Sequence, residues 1–262
     1  MMTIRKRIRS LVVFLALGGA VLFGIDTASG QERMGDFLFD APKVTLSFSL
    51  GYGVRGAGSD IFDEFVQEFT LEKGDFHAPV LGGGLSFFLD DRMDLAFEFS
   101  YGRSSTWSEY TDFEGTDDLP IEQETRFTQV PLTASVRYFL MDRGRKVGNL
   151  SWIPTTWAPY IGAGGGRMWY EFSQSGEFID FFDPGCETEG CPIYRDTLVS
   201  EGWAWVGHAF GGVQWALAPQ WVVMAEGRYS LSDADLDRSS FGGYEPIDLS
   251  GFQFTMGFGV RF

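Results

Sequence analysis

Residues 248–262 read D-L-S-G-F-Q-F-T-M-G-F-G-V-R-F, and their alternation decides the fold. Phe252, Phe254, Met256, Phe258, Val260 and Phe262 share one parity; Gly251, Gln253, Thr255, Gly257, Gly259 and Arg261 share the other. Side chains of a strand alternate between its two faces, so one face here is hydrocarbon and the other is small or polar. A strand in a closed barrel across a bilayer needs that pattern, because one face meets lipid and the other an enclosed lumen. An edge strand of a soluble sandwich is the alternative reading.

The same parity rule recurs upstream. Val44, Leu46, Phe48, Leu50, Tyr52 and Val54 oppose a Ser/Thr/Gly face, and Leu81, Leu85, Phe87 and Leu89 oppose Gly82, Gly84 and Ser86. Leu95, Phe97, Phe99 and Tyr101 oppose Asp94, Ala96, Glu98 and Ser100; Val130, Leu132, Ala134, Val136, Tyr138 and Leu140 oppose Gln129, Thr133, Ser135 and Arg137. A glycine-laden strand at about 159–172 is ambiguous in parity; we place Arg167 and Glu171 inward and Met168, Tyr170 and Phe172 outward. Strands at about 201–217 and 221–232 send Trp203, Trp205, Trp215, Trp221 and Tyr229 outward. With 251–262 this makes eight, an even number as bacterial barrels require. Segments 90–93 and 218–220 are short, while 55–76, 102–124, 173–199 and 233–246 are long, the expected contrast between periplasmic turns and extracellular loops. Segment 141–158 is a long periplasmic turn, with Trp152 and Trp157 expected at the inner interface. The expected fold is all-β: an eight-stranded antiparallel transmembrane β-barrel with long extracellular loops. Ser59 to Thr70 adds a short amphipathic helix in the first loop, with Ser59 as its cap and its apolar side on the barrel wall, on lipid or over the mouth.

On these residues the chain resembles the small bacterial outer-membrane β-barrel superfamily that includes the OmpA membrane domain, OmpX and OmpW. The resemblance covers most of residues 43–262, and P-Y-I-G-A-G-G-G at 159–166 looks like the glycine-rich strand start of OmpW-like barrels. It implies residence in the bacterial outer membrane among lipid and lipopolysaccharide, and it makes Phe258, Val260 and Phe262 a signal read by the barrel-assembly machinery. No peptidoglycan-binding domain follows the barrel, so wall anchoring is not expected.

Organisation and charge agree with that address. Arg5, Lys6, Arg7 and Arg9 precede an apolar run at 11–25 and then Ala28-Ser29-Gly30, the form of a cleavable secretory signal. The run is shorter than the roughly 20 residues of a spanning helix. Expected divisions are a signal peptide at 1–30, a periplasmic lead at 31–42 and the barrel at 43–262. Removing 1–30 takes away those four basic residues and Asp26, leaving 16 basic against 35 acidic side chains, a net −19. Such a balance argues against nucleic acid, whose phosphates call for Lys/Arg clusters.

A bore of eight strands is just wide enough for side chains to fill it. The inward charges Glu98, Arg137, Arg167, Glu171, Glu226, Arg228 and Arg261 are expected to pair as a polar network, since an unpaired buried charge costs several kcal/mol. Catalysis needs a base beside a nucleophile or water. His77 near Asp75 has no serine to complete it, and His208 lacks the His-x-Ser spacing of PagL-type lipid A deacylases, so no enzyme and no catalytic residue are expected. Cys186 and Cys191 read as a disulfide in an oxidising compartment. The acids Asp112, Glu114, Asp117, Asp118, Asp180, Asp183, Glu187 and Glu189 suit loosely bound divalent cations rather than a defined metal site. No cofactor is expected, and the chain is read as a monomer. The functional expectation is a non-enzymatic outer-membrane protein acting in envelope integrity or surface contacts through its outer loops. A conduit for small hydrophobic solutes with a lateral opening is the alternative, and a lipid-modifying enzyme a third reading.

Overall fold

The computed structural model describes residues 37–115, 119–148, 151–180, 183 and 191–262. The signal at 1–30, most of the lead, Cys186, Asp117, Asp118, Glu187 and Glu189 lie outside them. Eight strands form a closed antiparallel ring: β2 (Val44–Arg55), β3 (Ala78–Phe88), β4 (Met93–Glu114), β5 (Pro120–Phe139), β8 (Trp157–Ile179), β9 (Ile193–Ala216), β10 (Trp221–Leu231) and β13 (Gly251–Arg261). Ring strands follow chain order, with β6 and β7 between β5 and β8 and β11 and β12 between β10 and β13, and closure comes from β13 pairing β2 from Gly251↔Arg55 to Arg261↔Thr45. Two short sheets complete the fold: β1 (Leu38–Phe39) with β7 (Ser151–Pro154) and β6 (Gly144–Val147), and β11 (Asp233–Ala234) with β12 (Ile247–Asp248).

The quoted parity governs the wall. Phe48, Leu50, Leu81, Phe97, Phe99, Leu132, Trp203, Trp205, Phe254 and Met256 all stand exposed on the outside. A ring has no free edge of unpaired amides, and only such a closed sheet or a helix can cross hydrocarbon. Trp221 stacks on Phe258 at 5.0 Å near one rim and Tyr229 lies 4.8 Å from Phe252 toward the other, as in the aromatic girdles of membrane barrels.

Three expectations are corrected. Segments 102–124 and 173–199 are mostly strand, because β4, β5, β8 and β9 are 20–24 residues long, against 11 or 12 in the other four. These four are adjacent in the ring and rise as a tall wall; β9 continues 14 residues beyond its last pair with β10, roughly 45 Å along the strand. Second, β8 has the opposite parity. Met168, Tyr170 and Phe172 are buried inside while Arg167 is exposed and Glu171 half-exposed outside, the former with its guanidinium 4.7 Å from the Trp205 ring. Its register with β5, Arg137↔Gly162 and Leu132↔Arg167, fixes this. Third, Trp152 is not at the membrane interface but fully buried at the periplasmic end, beneath the Arg261 guanidinium at 5.5 Å; Trp157 is half exposed.

The helix α1 (Asp60–Glu68) does form, with Ile61, Phe62 and Phe65 buried. Ser59 makes no cap; its Oγ accepts from the amide of Asp248 instead, at 3.1 Å. The apolar face of α1 turns into the mouth, against inward residues of the tall wall. Phe62 lies 5.7 Å from Phe127 and 5.8 Å from Phe172, and Phe241 from the last long loop closes on Phe172 at 5.5 Å. Hydrogen bonds from the amide of Glu245 to Asp60 and from Tyr244 Oη to Glu64 (2.8 Å) tie that loop to the helix. Burial, then Glu64, raises the Glu68 carboxyl, and burial with Glu64 raises the Tyr244 phenol.

The glycines of 159–166 now have a steric reason. A Cβ at Gly166 would stand 2.1 Å from the carbonyl oxygen of Leu132, and one at Gly164 2.3 Å from that of Ala134. The β5 backbone approaches too closely there for any side chain on the inner face of β8. Gly207, with nothing within 4 Å, has room. Gly166→Val is expected to abolish the compact, heat-modifiable band on unboiled electrophoresis gels, whereas Gly207→Ala should leave it unchanged.

Candidate functional site

The bore carries the chain's chemistry, and its filling follows from strand register. β4 supplies Glu98, β5 Ser135 and Arg137, β8 Tyr160, β9 His208 and Phe210, and β10 Glu226 and Arg228. At the same level the facing strands β13, β2 and β3 offer mostly small residues, Ser47, Ser49, Gly51, Gly82, Gly84, Thr255 and Gly257. Long side chains from one half therefore reach into space left by the other.

Arg228 crosses that space. Its Nη2 lies 2.7 Å from Glu98 Oε2, on the strand diametrically opposite, and 2.8 Å from Glu226 Oε1. Arg137 Nη2 meets Glu98 Oε1 at 3.2 Å and Glu226 Oε2 at 3.6 Å, and Tyr160 Oη donates to Glu226 Oε2 at 3.1 Å. Two cations thus face two carboxylates. Aromatic faces complete the cage: Arg137 lies over Tyr160 at 4.7 Å, and Arg228 over Phe210 at 4.9 Å. A cavity of about 50 Å³ remains on the Ser/Gly side, touching Glu98, Arg137, Glu226 and Arg228.

Of the residues expected here, Glu98, Arg137, Glu226 and Arg228 come together. Arg167 and Glu171 are outside the barrel, as corrected above, because β8 has the opposite phase. Arg261 sits inside but at the periplasmic end, donating to Gln214 Oε1 at 3.0 Å. There the loop after β5 inserts Arg143, which pairs with Asp94 at 2.6 Å and lies over Phe88 at 3.6 Å; burial lowers its pKa while Asp94 opposes that. Arg143 and Tyr160 escape the sequence reading: the first sits in a presumed turn, the second on the strand whose phase was ambiguous. Phe258 and Phe262 are exposed on the outer face, with Val260 half-buried between them.

Among the described residues one nucleophile–base contact is formed. Ser135 Oγ and His208 Nε2 are 2.8 Å apart, and Ser135 Oγ also reaches Glu98 Oε2 at 3.3 Å. The carboxylate touches the hydroxyl rather than the imidazole, so nothing orients the ring in the manner of a triad. Asp75 and His77 do not pair: Asp75 accepts from the amide of Glu72 at 2.8 Å, while the His77 ring rests edge-on to Tyr52 at 6.2 Å. Among the described residues no cluster of His, Cys, Asp and Glu is placed to hold a metal.

The ring, its apolar belt and its polar bore define a small integral membrane β-barrel. No family model matches the sequence, and no curated protein matches it. Among solved structures it is similar to OprG of Pseudomonas aeruginosa, at 13% identity over 86% of this chain and 98% of that one, with a TM-score of 0.43. Neisserial surface protein A matches at 11% identity over 88% of this chain and all of that one, with a TM-score of 0.42. The E. coli outer membrane protein W gives 15% identity, 85% and 99% coverage and a TM-score of 0.39. The class rests on this chain's own ring and belt, not on that likeness.

Removing one member of a buried ion pair leaves its partner uncompensated, at about 3–5 kcal/mol. Glu98→Ala, which leaves Arg137 and Arg228 to share Glu226 alone, should lower the midpoint of urea unfolding in lipid vesicles strongly. Glu124→Ala, which removes a pair with Arg126 on the outer surface, should move it little.

Proposed function

We propose that this chain works as a sealed, non-enzymatic outer-membrane barrel, acting in envelope integrity or surface contacts through the parts that stand above the membrane. The observation that carries the reading is the filling of the bore at three levels. Phe62, Phe65, Phe127 and Phe172 pack the outer mouth, the Glu98–Arg228 pair spans the middle, and Arg143, Trp152 and Arg261 occupy the periplasmic end. With transport disfavoured, the tall wall remains the accessible feature, and it presents Trp107 and Leu119 to solvent.

Further elements of the proposal come from the sequence. They are export by a signal cleaved after Gly30, assembly directed by Phe258, Val260 and Phe262, a Cys186–Cys191 disulfide, lipopolysaccharide bridged loosely by divalent cations, and a monomeric state. Edman sequencing of the mature chain should begin at Gln31.

A second reading, a lateral conduit for small hydrophobic solutes, is favoured by one break in the wall. Pro131 lacks an amide, and the β4–β5 pairing passes from Phe99↔Leu132 to Gly102↔Gln129 with no partners assigned between. Pro131 also lines both cavities of the bore. Reconstituted protein decides between the two. The sealed reading expects no swelling of proteoliposomes in small sugars or amino acids and no accelerated uptake of an alkane-like fluorescent probe. Probe uptake that falls in Pro131→Ala would establish the conduit instead.

A further inference from the structure

The inward charges do not balance. Asp94 answers Arg143, and Glu98 and Glu226 answer Arg137 and Arg228, but Arg55 and Arg261 form no ion pair among the described residues. Arg261 has the Gln214 amide oxygen at 3.0 Å. Arg55 has nothing comparable. It is 7% exposed, its Nη1 has no hydrogen-bond partner, and its guanidinium lies over the face of Phe127 at 4.4 Å.

Arg55 also lines a second cavity of about 50 Å³, directly beneath the aromatic plug of the mouth. Ser100, Gln129, Ser230 and Gln253 border it, and no Asp or Glu does. The polar groups there are neutral hydroxyls and amides, all of which can donate. Gln129 uses one N–H on the carbonyl of Leu249, at 3.1 Å, and keeps a second. Gly53, Gly102 and Gly251 leave the backbone bare around the space. A buried guanidinium beside a carboxylate-free, donor-lined cavity is a cation without its counter-charge. Water alone would hydrate it but leave the charge uncompensated in a low-dielectric interior, which costs several kcal/mol.

We propose that this cavity binds one small inorganic anion of the halide class, held by Arg55 and bordered by Met168, Val206 and Leu249 of the plug. Volume sets the class: the space takes roughly three to five water-sized particles, enough for a chloride or bromide ion with a little water but not for a lipid phosphate or a sugar acid. The site is independent of whether the bore conducts.

The test uses the whole mature protein purified in detergent. Thermal unfolding is followed in sodium bromide, sodium chloride and sodium gluconate at equal ionic strength, gluconate being too large to enter. Bromide and chloride are expected to raise the midpoint saturably, by about 2–4 °C over gluconate, and Arg55→Met should remove the difference. A midpoint indifferent to halide, or a halide effect that survives in Arg55→Met, overturns the site. If Arg55→Met does not assemble, anomalous diffraction from bromide-soaked wild-type crystals decides. A bromide peak within hydrogen-bond distance of the Arg55 guanidinium supports the proposal, and a cavity holding water alone refutes it.

Discussion

Hydrocarbon offers no hydrogen bond to a stray amide, so a sheet that crosses it must close on itself. The pairing of β13 with β2 meets that demand, and much else in the molecule is its consequence. Closure at eight strands fixes a bore too narrow for bulk water and wide enough for side chains. Every inward residue then has to be chosen against every other across the diameter. The Arg228–Glu98 contact, reaching between strands four places apart in the ring, expresses that constraint directly. An arginine on one wall is tolerable because a carboxylate waits on the opposite one.

The bore is filled unevenly, and the unevenness has a cause in composition. Small residues on β13, β2 and β3 leave space, and aromatic and charged residues on β5, β8, β9 and β10 occupy it. The two cavities lie where the small half is not fully reached. A substitution that enlarges Ser49 or Thr255 would therefore press on the ion pairs, whereas the same change on the outer face would meet lipid. The upper half of the molecule repeats the asymmetry on a larger scale. Four long strands make a concave wall, and α1 with the 232–249 segment packs its apolar face into that hollow.

What the sequence made legible follows the solvent on each side of the wall. Where one face meets lipid and the other the bore, alternation is sharp, and β2, β3 and β13 could be placed almost to the residue. Above the membrane both faces are polar: Arg103, Ser105 and Glu109 outside match Ser104, Thr106 and Ser108 inside, and the period vanishes although the strand continues. Those stretches read as loops for that reason. On β8 the inward positions Gly162, Gly164 and Gly166 carry no side chain, so the phase hung on Arg167 and Glu171, whose charge suggested the lumen. The real outward pair is held at the surface, Arg167 over the Trp205 ring, with its long stem able to run along apolar surface.

The candidate site was half legible for a related reason. Parity finds the face of a residue but not its height, and pairing in a bore depends on both. Glu98, Arg137, Glu226 and Arg228 were identifiable by face, and they meet because the register brings them to one level. Arg261 has the right face and the wrong height. Arg143 has neither signal, since its segment turns back into the barrel after the strand has ended. Tertiary return of a loop leaves no period in sequence, and the same holds for α1: its amphipathic spacing predicted a helix, but only the hollow of the tall wall determines that the apolar face is drawn inward rather than laid on lipid. The charge at Arg55 belongs to the same level of organisation. It lies at the top of a short strand, where the neighbouring wall rises and the plug descends, and its isolation comes from the packing of both.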